Sequence, residues 1–172
     1  MQLVQLPVNI NLKQCKDMEK DHYIGVDISK KTIDVAIYVK NQAKKGAFPH
    51  ETFSNSEEGF KDMKKWLRKQ HVVLSKSLFC MEATGNYTYE LCLFLEQLGV
   101  AYSIQSPLHL KRSFGLTHGK NDKVDASRIA YYAYLHREDI KLSKLASDSV
   151  RKLKALIAER KSLVVEIARC KS

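Results

Sequence analysis

The sequence lacks any uninterrupted apolar run that approaches roughly 18 residues, the length expected of a helix that crosses a membrane. Its four cysteines are scattered and show neither a CxxC pair nor the Cys/His spacing of a zinc site. A disulfide framework is therefore poorly supported, and reduced, cytosolic thiols are expected. The first residues also lack the basic start and continuous apolar core of a secretory signal.

Glycine and proline are scarce, with seven and three copies respectively. No proline- or serine-rich linker, internal repeat or low-complexity tract divides the chain. A length of 172 residues suits one domain with a sizeable core. The hydrophobic fraction of 44% and the charged fraction of 28% are globular values, which excludes wholesale disorder.

Acidic residues are in deficit. Nineteen Asp and Glu stand against 29 Lys and Arg, which gives a formal charge of +10. This balance favours a polyanionic partner, most simply nucleic acid and less simply an anionic membrane surface. The predicted nucleic-acid contacts are Lys30, Lys111, Arg112, Lys120, Lys123 and Arg128. Tyr131, Tyr132 and Tyr134 follow Arg128 closely and could stack on bases, but core packing is the favoured interpretation.

Hydrophobic patterning predicts three consecutive strands and then alternating helices and strands, which indicates an α/β fold with a mixed sheet and helices on both faces. The predicted strands are 22–28, 32–39, 47–53, 78–81 and 100–105. The predicted helices are 57–70, 87–98, one that begins at Ser106-Pro107, 121–136 and 147–172. Ser54 and Glu57 have the spacing of a capping box, and Gly99 is expected just beyond the end of its helix.

The two ends of the chain are less regular. Residues 1–21 are predicted to form a weakly ordered arm, with an edge strand or a true start at Met18 as alternatives. Residues 147–172 have a heptad pattern typical of a coiled coil, interrupted by Arg160, with apolar a and d positions at Val150, Leu153, Ile157, Val164 and Ile167. We expect this helix to continue beyond residue 172 or to pair with another chain.

Four acidic residues are candidates for a metal site. Asp27 interrupts an apolar strand, which is costly unless an ion, a partner charge or solvent compensates it. Glu82 follows the apolar run 78–81, at the edge where ligand crevices open in α/β sheets. Asp122 and Asp125 lie three residues apart at a helix start and therefore face the same way. Each has an ordinary alternative. Asp27 and Glu82 could be solvated acids at strand ends. Asp122 and Asp125 could be acids that stabilise a helix N-terminus, with Asn121 as the N-cap.

Together these four acids predict a site for oxygen-preferring divalent cations. Mg²⁺ binds one or two carboxylates and keeps positions open for water and phosphate. Two such ions can activate a nucleophile and stabilise the leaving oxygen during phosphodiester cleavage. The predicted chemistry is therefore metal-dependent and directed at nucleic-acid phosphates.

Three motifs resemble those of the DEDD transposases, the insertion-sequence recombinases that include the pilin-inversion invertase and the bridge-RNA-guided enzymes. They are residues 25–30 (GVDISK), 81–85 (MEATG) and 120–126 (KNDKVDA), and the resemblance covers about 22–170. It implies an RNase H-like fold similar to that of the RuvC Holliday-junction resolvase. It also implies a catalytic, metal-binding tetrad of Asp27, Glu82, Asp122 and Asp125, with Mg²⁺ or Mn²⁺ as the ion.

The resemblance further implies DNA transposition or site-specific recombination in a prokaryotic cytoplasm, near the nucleoid. Its partners would be transposon ends and target DNA, a guide RNA, and a second copy of the chain through 147–172. The implied domains are 22–140, catalytic, and 141–172, the start of a coiled coil. In that family a further domain supplies a serine nucleophile, and we expect that domain to be absent here.

Two other functions stay open at this point. One is a basic binding and dimerisation remnant that occupies nucleic acid without cutting it. The other is a sugar-kinase or actin-like ATPase, whose first phosphate loop also pairs a strand Asp with Gly and Ser. The scarcity of glycine disfavours the second, because such enzymes need several glycine-rich nucleotide contacts.

Overall fold

The computed structural model of the chain describes residues 20–40, 48–83, 85–114 and 122–170. The predictions for residues 1–19, Lys120 and Asn121 lie outside this part of the chain. No helix in the described part is both long and apolar enough to span a membrane.

The strands form one five-stranded sheet in the order β3-β2-β1-β4-β5. They are β1 (His22–Ile28), β2 (Thr32–Val39), β3 (His50–Ser54), β4 (Ser77–Glu82) and β5 (Ala101–Gln105). β1, β2 and β3 pair antiparallel in sequence, whereas β4 lies parallel to β1 and β5 lies parallel to β4. The predicted mixed sheet is therefore confirmed. The third strand begins at His50, later than predicted, because Pro49 has no N–H to donate to a ladder and offers only its carbonyl oxygen, which Ile37 N–H reaches at 2.9 Å.

Within the described ranges, five α-helices accompany the sheet. They are α1 (Glu57–Lys69), α2 (Tyr89–Gln97), α3 (Pro107–Phe114), α4 (Asp122–Leu135) and α5 (Asp148–Cys170), with 3₁₀ turns at Leu74–Lys76 and Gly85–Thr88. Pro107 opens α3 as predicted, and the Ser106 hydroxyl oxygen accepts from Leu108 N–H at 3.3 Å. Gly99 follows the end of α2 with a φ of 69°, also as predicted.

The predicted capping box at the start of α1 is wrong by two residues. Ser56, rather than Ser54, is the N-cap, and its hydroxyl oxygen accepts from Gly59 N–H at 3.3 Å. Ser54 instead exchanges a hydroxyl hydrogen bond of 2.9 Å with Ser56. The reason is backbone conformation: Ser54 still belongs to β3, whereas Ser56 is the last extended residue before the helical turns.

The sheet separates two apolar layers. One face, with Ile24 and Val26 of β1, packs together with side chains of α1 and α2, such as Phe60 and Leu91. The other face, with Tyr23, packs with Ile129, Ala130 and Ala133 of α4. Successive strand residues point to opposite faces, so both layers are encoded in single strands. This arrangement confirms helices on both sides of the sheet.

Two cysteines lie inside these layers. Cys80 and Cys92 are buried and form no disulfide. Burial raises the pKa of each thiol to about 12, with the neighbouring Glu96 charge as a smaller cause for Cys92. Neither thiol is therefore ionised at neutral pH, and neither is a reactive nucleophile.

Helix α5 leaves most of its apolar side chains exposed. The exposed large apolar residues include Val150, Leu153, Leu156, Ile157, Leu163, Val164, Val165 and Ile167. The predicted a and d positions among them fall on one side of a 23-residue helix. The helix is thus present, whereas the coiled coil stays a prediction.

Candidate metal and nucleic-acid site

Polar side chains form one row across the sheet at the end where the parallel strands finish. Asp27 lies opposite Asp34 in the β1–β2 pair, and Asp34 lies opposite Thr52 of β3. On the other side, Val26 pairs with Met81, so Asp27 and Glu82 are the next residues on neighbouring strands. Alternation places all four side chains on the face that α4 covers, and strands are about 4.8 Å apart. Asp27 and Glu82 therefore lie beside each other on neighbouring strands, and their role as metal ligands stays a prediction.

Gly25 allows helix α4 to lie directly against β1. A Cβ added at this glycine would be 2.1 Å from the carbonyl oxygen of Ala126 and 2.3 Å from the nitrogen of Ala130. No side chain fits such a space, because the obstructing atoms belong to the helix backbone. The sequence gives Gly25 a place in a motif, but its packing role becomes visible only when the helix and strand are seen together.

The direction of α4 determines which of its ends approaches Asp27. Ala126 and Ala130 lie over Gly25, whereas Tyr134 stacks on Tyr38 at 4.5 Å and meets the edge of Tyr23 at 5.4 Å. The helix therefore runs antiparallel to β1. Its first turn, which carries Asp122 and Asp125, consequently lies toward the same end of the sheet as Asp27.

The structure describes the side chains of three of the four predicted metal ligands. Asp27 and Glu82 are half-buried, and Asp125 is half-buried and lies 3.4 Å from the guanidinium of Arg128. The side chain of Asp122 lies outside the described part. Among the described side chains, no group of three His, Cys, Asp or Glu residues is arranged to hold a metal ion. The carboxylate donors suit Mg²⁺ or Mn²⁺ in chemistry, while the complete tetrad stays a prediction.

The predicted basic contacts also differ in setting. Lys30, in the turn between β1 and β2, and Lys111 and Arg112, on α3, are exposed. Arg128 pairs with Asp125 rather than facing solvent alone. The side chain of Lys123, like the whole of Lys120, lies outside the described part. Lys30, Lys111 and Arg112 are thus the exposed cations among the predicted contacts whose side chains the structure describes.

The tyrosines of α4 mostly serve the core. Tyr132 is 7% exposed and belongs to the apolar layer beneath the helix, and Tyr134 stacks on Tyr38. Arg137 lies over the Tyr134 ring at 4.8 Å. Core packing, the favoured interpretation, is confirmed for these two, whereas Tyr131 is 41% exposed.

Ser29 stabilises the turn beside Asp27. Its hydroxyl oxygen accepts from Thr32 N–H at 3.0 Å, and its own N–H donates to the Thr32 carbonyl at 2.9 Å. Asn55 adds a side-chain hydrogen bond to the Ser29 carbonyl at 2.9 Å. The serine of the GVDISK motif therefore has a structural task, which is to close the hairpin that carries Asp27.

Asp34 and its partners are not among the site residues predicted from the sequence. The Asp34 carboxylate accepts from the Thr52 hydroxyl at 2.5 Å and lies 3.4 Å from Nε2 of His50. Both Asp34 and His50 are largely buried, with 15% and 13% of their side chains exposed. The available signal was the three-residue break between two alternating strands, which places Asp34 opposite Asp27. In the alternation of apolar and polar residues in 32–39, Asp34 is simply one of the polar positions.

A cavity of about 450 Å³ opens beside the end of the polar row. Gln105, which pairs with Glu82 across β4 and β5, forms part of its wall. The wall also includes His109, His136, Asp139 and Lys141. The surface at Gln105 is therefore concave and lined by both polar and apolar side chains, a feature that the sequence did not reveal.

With this geometry in view, comparison with known proteins identifies the class. The family model of the IS110-type DEDD transposases, described as "Transposase", matches residues 24–172. This match covers most of the chain, and the chain belongs to that family.

Individual proteins similar to this chain are consistent with the family match. The chain is 32% identical over 141 residues to the pilin gene-inverting proteins of Moraxella bovis and Moraxella lacunata. The matched region covers 80% of this chain and 41% of each relative, so the chain spans about two fifths of their length. The RuvC structure of Thermus thermophilus is similar with a TM-score of 0.49 and 12% identity, over 71% of this chain and 99% of RuvC.

Proposed function

We propose that this chain is the nucleic-acid-binding and metal-binding part of a DNA transposase. Asp27, Glu82, Asp122 and Asp125 would hold Mg²⁺ or Mn²⁺ for phosphodiester chemistry. The observation that carries the proposal is the adjacency of Asp27 and Glu82 on neighbouring strands, at the edge toward which the first turn of α4 points. Family membership supports it, and the relatives named for inverting a pilin gene make DNA recombination the corresponding reaction.

Each part of the site has a defined task in this proposal. The carboxylates of Asp27 and Glu82 supply oxygen ligands from a rigid sheet, and α4 supplies those of Asp122 and Asp125. When bound, the ions would activate the attacking oxygen and stabilise the leaving one. Arg128 keeps Asp125 paired in the metal-free chain. Lys30, Lys111 and Arg112 would bind phosphates and orient the strand.

The proposed partners are DNA, at transposon ends and target, and a guide RNA, since both present the phosphates that a chain of charge +10 attracts. Residues 22–140 would form the catalytic unit, and residues 141–172 would carry the oligomerisation helix. The proposed place of action is the prokaryotic cytoplasm, at the nucleoid.

DNA binding can be tested by fluorescence anisotropy on linear and branched duplexes over a range of salt concentrations. We expect the logarithm of the association constant to fall linearly with the logarithm of salt, because phosphate contacts release counterions. Lys111→Ala combined with Arg112→Ala should weaken binding and reduce the slope by about 2.

The matched control is Lys61→Ala combined with Lys65→Ala. These lysines pair with Glu57 and Asp62 on α1, which covers the opposite face of the sheet. The control should leave the salt slope of DNA binding unchanged. Equal losses of affinity in both double variants would contradict an interface on α3, and an absence of DNA binding at low salt would contradict the proposed function.

A non-catalytic binding and dimerisation module is the second candidate. It is supported by the exposed apolar side chains of α5 and by the exposed Lys111 and Arg112, which need no metal ion to bind a partner. A cleavage assay on nicked and branched DNA with and without Mg²⁺ separates the two candidates. Cleavage that requires both Mg²⁺ and Asp27 supports the enzyme, and binding without any cleavage supports the module.

Helix α5 is proposed to pair with a second copy of the chain through its a and d positions. Sedimentation equilibrium should then give a dimer, and Leu153→Glu combined with Ile157→Glu should give a monomer, because each dimer would bury four additional charges. Val165→Glu is the control, since Val165 is equally exposed but lies off the a/d seam. A wild-type chain that is monomeric throughout the micromolar range would contradict the pairing.

A further inference from the structure

Asp34 has an unusual position for a residue outside the predicted tetrad. It lies directly across from Asp27 in an antiparallel pair, on the same face of the sheet. Cβ atoms of such partners are about 5 Å apart, and like charges directly opposite destabilise a sheet. The register therefore places two carboxylates side by side on this face of the sheet, where a cation held at Asp27 would be attracted by both.

The neighbouring strand fixes this second carboxylate in place. Thr52 and His50 of β3 both contact Oδ1 of Asp34, at 2.5 and 3.4 Å. Both contacts are to the same carboxylate oxygen, and they tie the Asp34 side chain to β3 beside its cross-strand neighbour Asp27. The side chain is also largely buried, so solvent screens its charge less than that of a surface acid.

We infer that Asp34 is a positioning residue that strengthens divalent-cation binding at Asp27. This inference rests on the proposed function, because it needs an ion at the Asp27–Glu82 edge. A dication held by Asp27 would lie within about one Debye length of the Asp34 charge, in a partly desolvated setting. Asp34 would act through this charge, or through a water bound to the ion, rather than as a direct ligand.

A purely structural role makes a different prediction. If Asp34 only ties β2 to β3 through Thr52, its loss should lower the stability of the metal-free chain and leave ion affinity unchanged. Asp34→Asn separates the two roles, because the amide oxygen can still accept from Thr52 while the negative charge is removed. Asp34→Glu keeps the charge and serves as the conservative rescue.

The experiment is Mn²⁺ titration of the intact chain, followed by isothermal calorimetry and by electron paramagnetic resonance, for four variants beside the wild type. We expect Asp34→Asn to raise the dissociation constant on the order of tenfold. Asp34→Glu should recover part of that loss. Asp62→Asn removes one charge from exposed α1 and should leave the constant unchanged. Asp27→Asn should weaken binding at least about a hundredfold.

The outcomes separate this inference from the function on which it rests. An Asp34→Asn dissociation constant within twofold of wild type, together with weakened binding in Asp27→Asn, would overturn the role of Asp34 and leave the metal site intact. Unchanged binding in Asp27→Asn would overturn the metal site itself, and the inference with it. Thermal melting of the metal-free variants checks folding, and a large loss of stability in Asp34→Asn with no change in affinity counts for the structural role.

Discussion

Replacement of Gly25 by alanine should displace helix α4 from the sheet and lower the free energy of unfolding by about 3 kcal/mol or more. The added methyl carbon would meet the backbone of Ala126 and Ala130 at 2.1 to 2.3 Å, far inside contact distance. Trimming a side chain cannot relieve this overlap, because the obstructing atoms are a carbonyl oxygen and an amide nitrogen. Denaturant unfolding followed by circular dichroism measures the effect.

Gly25→Ala should weaken metal binding at the proposed site as well as destabilise the fold. Since α4 carries Asp122 and Asp125, a displaced helix withdraws half of the proposed ligands, and Mn²⁺ affinity should fall in parallel. Gly85→Ala is the control: the same methyl would meet nothing within 4 Å, and its φ of 69° costs only about 1 kcal/mol. Equal destabilisation by both substitutions would show that chain conformation, rather than helix contact, determines the requirement at Gly25.

Asp27→Asn should weaken Mn²⁺ binding at least about a hundredfold and eliminate any metal-dependent DNA cleavage. Loss of an outer-shell partner typically costs 10- to 100-fold in metal affinity, and loss of a charged direct ligand should cost more. The amide has the shape of the carboxylate, so the apolar layer beside β1 is preserved. Calorimetric titration measures the affinity, and gel electrophoresis of branched DNA measures cleavage.

The fold of this variant should remain intact. Asparagine keeps the shape of the side chain and an oxygen that can accept a hydrogen bond, so the metal-free chain should keep a cooperative melting transition. DNA binding without metal should persist, because Lys111 and Arg112 lie on another element. A variant that folds, binds DNA and retains wild-type Mn²⁺ affinity would contradict the proposed ion site at its central residue.

Local signals predicted most of the framework. The alternation in residues 32–39, the continuous apolar run 78–81 and the Ser106-Pro107 helix start all correspond to elements of the structure. The errors occurred where two signals of similar strength competed. Ser54 and Ser56 can both cap a helix, and only the end of β3 determines which one does. Similarly, the apolar residues beside Pro49 predicted a strand from residue 47, but β3 begins only after the proline, at His50.

The acids of the candidate site, Asp27, Glu82, Asp122 and Asp125, were predicted from strand ends and helix spacing and then from motif resemblance. Strand order now accounts for the adjacency of the first two. Asp34 was not predicted as a site residue, because its position opposite Asp27 depends on the hydrogen-bonded register between two strands. Residue spacing alone does not give that register.

Local periodicity and composition are enough to predict which elements form, which of their faces are apolar, and that the chain carries basic charge and isolated strand acids. The position of α4 on β1 at Gly25, and its antiparallel direction, depend on tertiary packing. One missing Cβ permits close backbone contact between a helix and a strand that lie about 100 residues apart in the sequence. That contact, rather than any acid alone, points the first turn of α4 toward Asp27.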